Sequence, residues 1–163
     1  MGKIRSIFFE YNEEDEHFDF GTFSLCMYYA AKLNPSKAKK LFEATISEWK
    51  YRVEYELPLE NLESKNREVH FIPSEVQDSI IFLENDLIPA LNNETQDLLK
   101  QYGGKSSFIN MYYSSVDFLK FNGIDENEYF DGNGENLAHY MNRLKIALQY
   151  SLTVNQPLIV YVN

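Results

Sequence analysis

Two stretches of the chain combine carboxylates with aromatic residues at short spacing. The first is the acidic run, residues 13–16, with Tyr11 before it and Phe18 after it, and the second is the acidic loop, residues 125–131. Carboxylates steer a cationic partner towards a surface, and aromatic side chains are enriched in interface cores. The sequence therefore predicts a recognition surface for a basic protein, with these contact residues: Tyr11, Glu13, Glu14, Asp15, Glu16, Phe18, Asp125, Glu126, Glu128, Tyr129 and Asp131. The competing interpretation is a solvated, solubilising surface, since charged loops are common on proteins.

The candidates for covalent or acid–base catalysis are few. The only cysteine, Cys26, lies in an apolar run and is predicted to be a buried thiol. His17, His70 and His139 stand apart from one another in the sequence, and each is assigned a structural role. No nucleophile elbow is present in the sequence. We therefore predict no catalytic residues, while a site assembled from dispersed residues stays open.

Two glycine-containing motifs resemble ligand-binding loops but fail at defining positions. Counted from Asp131, a calcium loop requires glycine at its sixth position and glutamate at its twelfth, where this chain has Asn136 and Asn142. The Gly103–Ser106 stretch lacks the first glycine of a phosphate-binding loop, because that position is Leu99. A turn and a helix end explain these motifs, and no metal or cofactor is expected.

Composition sets the frame for these residues. The 163 residues carry a formal net charge of -10 and an aromatic content of 15%, which predicts one folded domain, residues 1–163, since disordered acidic chains are poor in aromatics. Residues 53–135 hold most of the acids, and they disfavour direct binding of nucleic acid because phosphates repel carboxylates. Neither a signal peptide nor a membrane span is predicted, so we expect a soluble, cytoplasmic protein without a membrane partner.

Alternating and apolar segments predict a small sheet. Residues 3–11 read as a strand, residues 17–20 as its hairpin partner with the acidic run at the turn, and residues 158–162 as a final strand covered on both faces. Residues 51–57 alternate as a middle strand would, with a helix as the alternative, and residues 68–72 form a further candidate strand. The N- and C-terminal strands are predicted to pair.

Capping signals predict about five helices around this sheet. Expected N-caps are Thr22, Asn34 followed by Pro35, Ser74 in a capping box, and Ser106 or Ser107. The five longer predicted helices span residues 22–33, 35–49, 75–88, 107–121 and 135–152, with a break or kink at Pro89 and a short helical restart at residues 93–102. The fold class is therefore α+β, with helices packed on a small sheet of N-terminal, middle and C-terminal strands.

These features favour a binding function over catalysis. The first hypothesis is a small acidic inhibitor of a basic partner, most plausibly a toxin-immunity protein that blocks a nuclease-type toxin. A phage anti-defence protein that mimics nucleic acid is the alternative within the same class. The alternatives from other classes are a small enzyme or ligand-binding domain, whose site would be a deep aromatic pocket with a buried carboxylate or histidine, and a subunit of a larger assembly. Neutralising the acidic run is expected to leave folding nearly intact and to slow association with the partner.

Overall fold

A three-stranded antiparallel sheet stands at one side of a helical core. The computed structural model describes residues 4–12, 14–46, 71–121 and 123–163. Strand β1 (Ser6–Tyr11) is central, β2 (Glu14–Asp19) lies on one side of it, and β3 (Ile159–Val162) lies on the other. The fold is α+β, as predicted, and the N- and C-terminal strands pair.

The register of the hairpin places the acidic run differently from the prediction. Tyr11 pairs with Glu14 and Ser6 pairs with Asp19, so residues 14–16 belong to β2 and the turn is formed around Asn12, whose φ is 49°. The prediction that the acidic run forms the turn was wrong, because asparagine tolerates the left-handed conformation that a tight turn needs. Strand pairing therefore fixes the backbone of these acids.

Strand β3 lies at an edge of the sheet, which corrects the prediction of a central strand. Val160 and Val162 are buried, but Ile159 is 38% exposed, so its apolar sequence reflects one covered face rather than two. The predicted middle strand, residues 51–57, and residues 68–70 of the further candidate lie outside the described residues. Phe71 and Ile72 are described and precede a helix rather than forming a strand.

Helix α1 (Phe20–Leu33) runs through the middle of the core. Every residue from Phe20 to Ala31 is buried, as expected for a helix that is covered on all sides. Asp19 rather than Thr22 is its N-cap residue, and Thr22 is buried and accepts a hydrogen bond from the Asp131 amide at 3.0 Å. The predicted Thr22 cap was wrong because the helix begins two residues earlier, directly after β2.

Helix α2 (Pro35–Thr45) begins as predicted. The Asn34 side chain accepts a hydrogen bond from the Lys37 amide at 3.0 Å, and Pro35 occupies the first turn. This local signal is strong because asparagine satisfies an otherwise unpaired amide and proline lacks the amide that would need a partner. The helix ends at Thr45, earlier than predicted, and residues 47–70 lie outside the described residues.

Pro89 changes the helical register without ending the helical path. Helix α3 (Pro73–Phe82) continues into a π-helical turn (Leu83–Leu87) and then into α4 (Ile88–Asn92). In the π turn the Ile88 amide donates to the Leu83 carbonyl, five residues back, a register that π-helical bulges provide next to a proline. The capping box at Ser74 was wrong, because α3 begins at Pro73 and has no side-chain cap.

Short helices connect this path to the last long helix. Helix α5 (Leu98–Gln101) is capped by Asp97 and closed by Gly103 and Gly104, which both have positive φ, and it begins later than the predicted restart. Helix α6 (Lys105–Tyr113) has Gly104 as its N-cap, so the predicted serine cap was wrong. The predicted helix to residue 121 is divided at Ser114, and a 3₁₀ helix (Asp117–Phe121) follows.

Helix α7 (Gly134–Val154) confirms the last predicted helix with two residues more at its end. The Asn133 side chain caps it by accepting from the Asn136 amide at 2.9 Å, and Asn155 ends it in the left-handed conformation. Its buried face joins the inner side chains of the sheet and α1 in one apolar core. Helix α7 and the sheet together therefore set the positions of the hairpin and of the acidic loop.

Candidate functional site: the outer face of the sheet

The strands divide their side chains between a buried and an accessible face. Ile7 and Phe9 of β1 lie in the core, as do Phe18 of β2 and Val160 of β3. Because side chains alternate along a strand, the residues between them form the opposite face, here called the outer face. Its cross-strand rows are Ser6 with Asp19, Phe8 with His17 and Tyr161, and Glu10 with Asp15 and Ile159.

Three aromatic rings form a stripe across the outer face. The Phe8 ring stacks on Tyr161 with centroids 4.8 Å apart and planes within 5°, and on His17 with centroids 5.0 Å apart. His17 is exposed, and Phe8 and Tyr161 are half-buried. This aromatic stripe (Phe8, His17 and Tyr161) offers a flat, preordered surface of the kind that anchors protein interfaces.

Carboxylates border the stripe on both sides. Glu10 follows Phe8 on the same face of β1, and the described residues give it no ion pair. Asp19 lies on the other side, where burial, with repulsion by Asp131 as a second cause, raises the pKa of its carboxyl above the usual value. The nearby His17 opposes that rise in the pKa of Asp19. The outer face therefore combines an aromatic centre with acidic margins.

The repulsion between Asp19 and Asp131 also shows that the hairpin and the acidic loop meet. Their meeting point is the start of α1, where Asp131 donates its amide to Thr22 and the chain at Tyr129 and Glu128 passes directly over Gly21. Amide groups at a helix start favour nearby negative charge. The base of the hairpin and the acidic loop, which are more than a hundred residues apart in sequence, thus lie next to each other.

Two basic residues from outside the acidic loop anchor it to the rest of the fold. The Arg5 guanidinium pairs with the buried Glu128 carboxylate, its Nε lying 3.0 Å from Oε2, and also donates to the Gly123 carbonyl. Lys105 Nζ donates to the carbonyl oxygens of Glu126 and Glu128, at 2.9 Å each. These contacts hold the loop backbone in one conformation.

Other carboxylates of this loop accept local hydrogen bonds. Asp125 Oδ1 accepts from the Asn127 amide at 2.8 Å, and Glu126 Oε1 accepts from Ser106 Oγ at 2.7 Å. Asp131 accepts from the Asn133 amide and from Asn136 Nδ2, both at 3.0 Å. These bonds are typical of aspartate in loops. The predicted glycine turn at residues 131–136 was wrong, because residues 134–136 belong to α7 and neither Gly132 nor Gly134 has a positive φ. Asp125 and Glu126 keep exposed surface.

The predicted contact residues therefore divide into surface and structural ones. Phe18 is 5% exposed and stacks on Tyr140 in the core, and Glu128 is 1% exposed, so neither presents a surface to a partner. Glu16 pairs with Arg143 and accepts from the Tyr11 hydroxyl at 3.2 Å. Tyr129 is 52% exposed. Glu13 lies outside the described residues, and for Glu14 and Asp15 the structure describes the backbone position in β2.

Sequence reasoning missed Phe8, Glu10 and Tyr161 as surface residues. The alternation Ile7–Phe8–Phe9 carried the signal, but two adjacent phenylalanines do not show which one faces the core. The hairpin register decides it, because Phe9 pairs with Glu16 while Phe8 pairs with His17. Both pairings follow from the position of the turn at Asn12, which the sequence did not predict.

The reactive side chains and the helices of the described residues show neither an activated thiol nor a membrane-spanning segment. Cys26 is buried, as predicted, and burial, with repulsion by Asp131, raises the pKa of its thiol, which keeps it protonated and unreactive. Within the described residues no three histidine, cysteine or acidic side chains are grouped to hold a metal ion. The helices among them are too short or too polar to cross a membrane.

The chain was compared with models of protein families, with curated proteins and with solved structures. None of the three comparisons finds a match. Function is therefore argued from the geometry and charge of the described residues.

Proposed function

We propose that this protein is a small acidic binding protein that neutralises a basic partner, in the manner of a toxin-immunity protein that blocks a nuclease-type toxin. The observation that carries the proposal is the outer face, where the stacked rings of Phe8, His17 and Tyr161 lie between Glu10 and Asp19. The net charge of -10 gives the whole molecule the same sign as these margins.

The arrangement suits recognition of a cationic surface for two physical reasons. Acidic margins attract a basic partner over long range and orient it before contact. The rings then supply apolar area whose side chains are already ordered by stacking, so less conformational entropy is lost on binding. Nuclease-type toxins carry basic surfaces because they bind phosphates, which makes them partners of the required charge.

The test begins with capture of partners from the native host at low salt, followed by purification of the retained basic protein. Its affinity is measured against ionic strength, and its enzymatic activity is measured with increasing amounts of this protein. We expect affinity to fall with salt and the activity to be blocked at saturation. Competition with nucleic acid separates a nucleic-acid mimic from an inhibitor that binds beside the partner's active site.

Variants locate the surface. Phe8→Thr with Tyr161→Thr removes two rings while keeping residues that favour strands, and we expect affinity to fall at least tenfold, as for interface anchors. Ile81→Thr is the matched control, since Ile81 is an exposed apolar residue of α3, 45% exposed and outside the sheet. The proposal is overturned if the retained partner is not basic, if its activity persists at saturation, or if the double variant binds as tightly as the control.

A further inference from the structure

A cleft of about 400 Å³ opens beside the outer face, between the hairpin tip and the C-terminal end of α7. Its walls come from the end of β1, the last turn of α7 and the segment that leads into β3. The lining residues used below are Glu10, Tyr11, Tyr150 and Gln156. Glu10 belongs to the outer face as well, so the cleft continues the surface proposed to meet the partner.

The electrostatics of the cleft favour a cation. Glu10 is one of the lining residues, and the ion pairs of the described residues do not include its carboxylate. Helix α7 is 21 residues long and ends here, and the C-terminal end of a helix carries partial negative charge. An anionic ligand would meet repulsion from both features.

Aromatic rings shape the cleft for a long side chain. The centroids of Tyr11 and Tyr150 are 6.1 Å apart with planes inclined at 52°. The Tyr11 hydroxyl donates to Glu16, which pairs with Arg143, so the ring is held in place. Tyrosine faces attract ammonium and guanidinium groups within about 6 Å, and their apolar area packs against the aliphatic part of lysine or arginine.

The segment after α7 is fixed before any ligand arrives. Asn155 takes a left-handed conformation with φ of 55°, and its amide donates to the Leu152 carbonyl at 3.2 Å. Ser151 Oγ and the Ser151 carbonyl both bind the backbone of Gln156. A preformed cleft limits the entropy that binding costs.

We propose that this cleft binds one lysine or arginine side chain of the basic partner, with its charged group at Glu10 and its aliphatic part packed against the accessible surfaces of Tyr11 and Tyr150. The inference rests on the proposed function, since it names the residue type by which that partner is recognised. A divalent cation is a poorer occupant, because it requires several oxygen ligands and Glu10 is the only carboxylate among the described residues that line the cleft.

The test uses N-acetyl-arginine methylamide as probe and its citrulline counterpart, which has nearly the same shape without the charge. Amide resonances of the ¹⁵N-labelled protein are followed during titration. We expect saturable shifts concentrated at Asn12, Gln156 and Ile159 with the arginine probe and at least fivefold weaker binding of the citrulline probe. Titration with N-acetyl-lysine methylamide then shows which of the two cationic side chains the cleft binds more tightly.

Variants separate the cleft from general attraction to an acidic protein. Glu10→Gln is expected to weaken the arginine probe about fivefold, the scale of a partly exposed ion pair. Glu84→Gln removes the same charge from an exposed position of the π turn, outside the cleft, and is expected to change nothing. Equal binding of the two probes, scattered shifts, or unchanged binding by Glu10→Gln overturns the inference.

The purified partner distinguishes failure of the cleft from failure of the proposed function. If Phe8→Thr with Tyr161→Thr loses the partner while Glu10→Gln keeps full affinity, the cleft proposal fails and the binding function stands. If the cleft binds the arginine probe but no basic partner is retained, the proposed function fails. If the Phe8→Thr/Tyr161→Thr variant and the Glu10→Gln variant both lose affinity for the partner, the cleft proposal and the proposed function are both supported.

Discussion

At the scale of single residues, Glu128 shows that an acidic side chain in an acidic loop need not belong to a binding surface. Its carboxylate is fully covered and pairs with Arg5, more than a hundred residues away in sequence. A buried carboxylate is tolerated only when a partner compensates for the lost water. The pair therefore tethers the acidic loop to the residue that precedes β1.

Removing that carboxylate is expected to destabilise the fold strongly. In Glu128→Ala the half-buried Arg5 guanidinium loses the Glu128 carboxylate, and breaking a buried pair in this way costs about 3 kcal/mol. The free energy of unfolding from urea titration measures the loss. Glu126→Ala is the control, because Glu126 is exposed and accepts one side-chain hydrogen bond, from Ser106, so its loss should stay below about 1 kcal/mol. Equal losses in the two variants would contradict a special role of the Arg5 pair.

The acidic run divides in a similar way. Glu16 binds both Arg143 and the Tyr11 hydroxyl, whereas the fold places residues 14 and 15 at the tip of β2. Neutralising the whole run therefore removes a structural contact together with surface charge. The expectation that neutralisation leaves the free energy of unfolding nearly unchanged therefore applies only to the positions of the run before Glu16.

At the scale of elements, the start of α1 is a tightly packed junction of the candidate site. A methyl group added at Gly21 would run into the Tyr129 carbonyl and lie 2.9 Å from Glu128 Cβ. The Tyr129 backbone and the buried Glu128 side chain cannot move away easily. Gly21→Ala is therefore expected to lower the free energy of unfolding by about 1–3 kcal/mol and to displace the acidic loop. Urea titration measures the first effect, and amide resonances of residues 128–131 measure the second.

Gly104 provides the comparison for that substitution. Its φ is 99°, but no atom lies within 4 Å of the position that a Cβ would take. Gly104→Ala therefore tests backbone strain alone, at about 1 kcal/mol. A larger loss at Gly104 than at Gly21, or an undisturbed loop in Gly21→Ala, would contradict the packing argument.

The sequence predicted those elements whose signals are local. The Asn34 cap with Pro35, the glycines after α5 and the span of α7 depend on groups within a few residues, and all three are confirmed. The caps at Thr22 and Ser74 were wrong because strand β2 leads directly into α1 and because Pro73 begins α3. The outer face depends on strand register, and the loop anchors depend on contacts over a hundred residues, neither of which a single sequence displays.

At the scale of the whole molecule, the fold gathers acidic stretches that the sequence separates. The sheet pairs the two ends of the chain, and the acidic loop folds back onto the start of α1. The basic residues Arg5 and Lys105 bind the acidic loop and hold it in place. The base of the hairpin, at Asp19, and the acidic loop, at Asp131, therefore lie together, and clustered charge of one sign is what a steering surface requires.

Tyrosine hydroxyls with raised pKa values predict how the stability of the whole molecule changes with pH. Burial raises the pKa of Tyr102 to about 12, with Tyr28 and Glu94 adding to the rise, and burial also raises the pKa of Tyr29, Tyr113 and Tyr140. In the unfolded chain these phenols lose their protons near the ordinary value of 10.0, so above that pH the unfolded state binds fewer protons than the folded state. The free energy of unfolding must then fall as pH rises from about 10 towards 12.

Urea titrations at pH 8, 9, 10 and 11 measure this dependence. We expect little contribution from the phenols below pH 9 and a progressive loss above pH 10, to which growing negative charge adds repulsion. Tyr102→Phe keeps the ring and removes one ionisable group, so its loss between pH 10 and 11 should be smaller than that of the unmodified protein. A free energy of unfolding that stays constant to pH 11 would contradict the raised pKa of these hydroxyls in the folded state. An identical pH dependence in Tyr102→Phe would contradict the raised pKa of Tyr102.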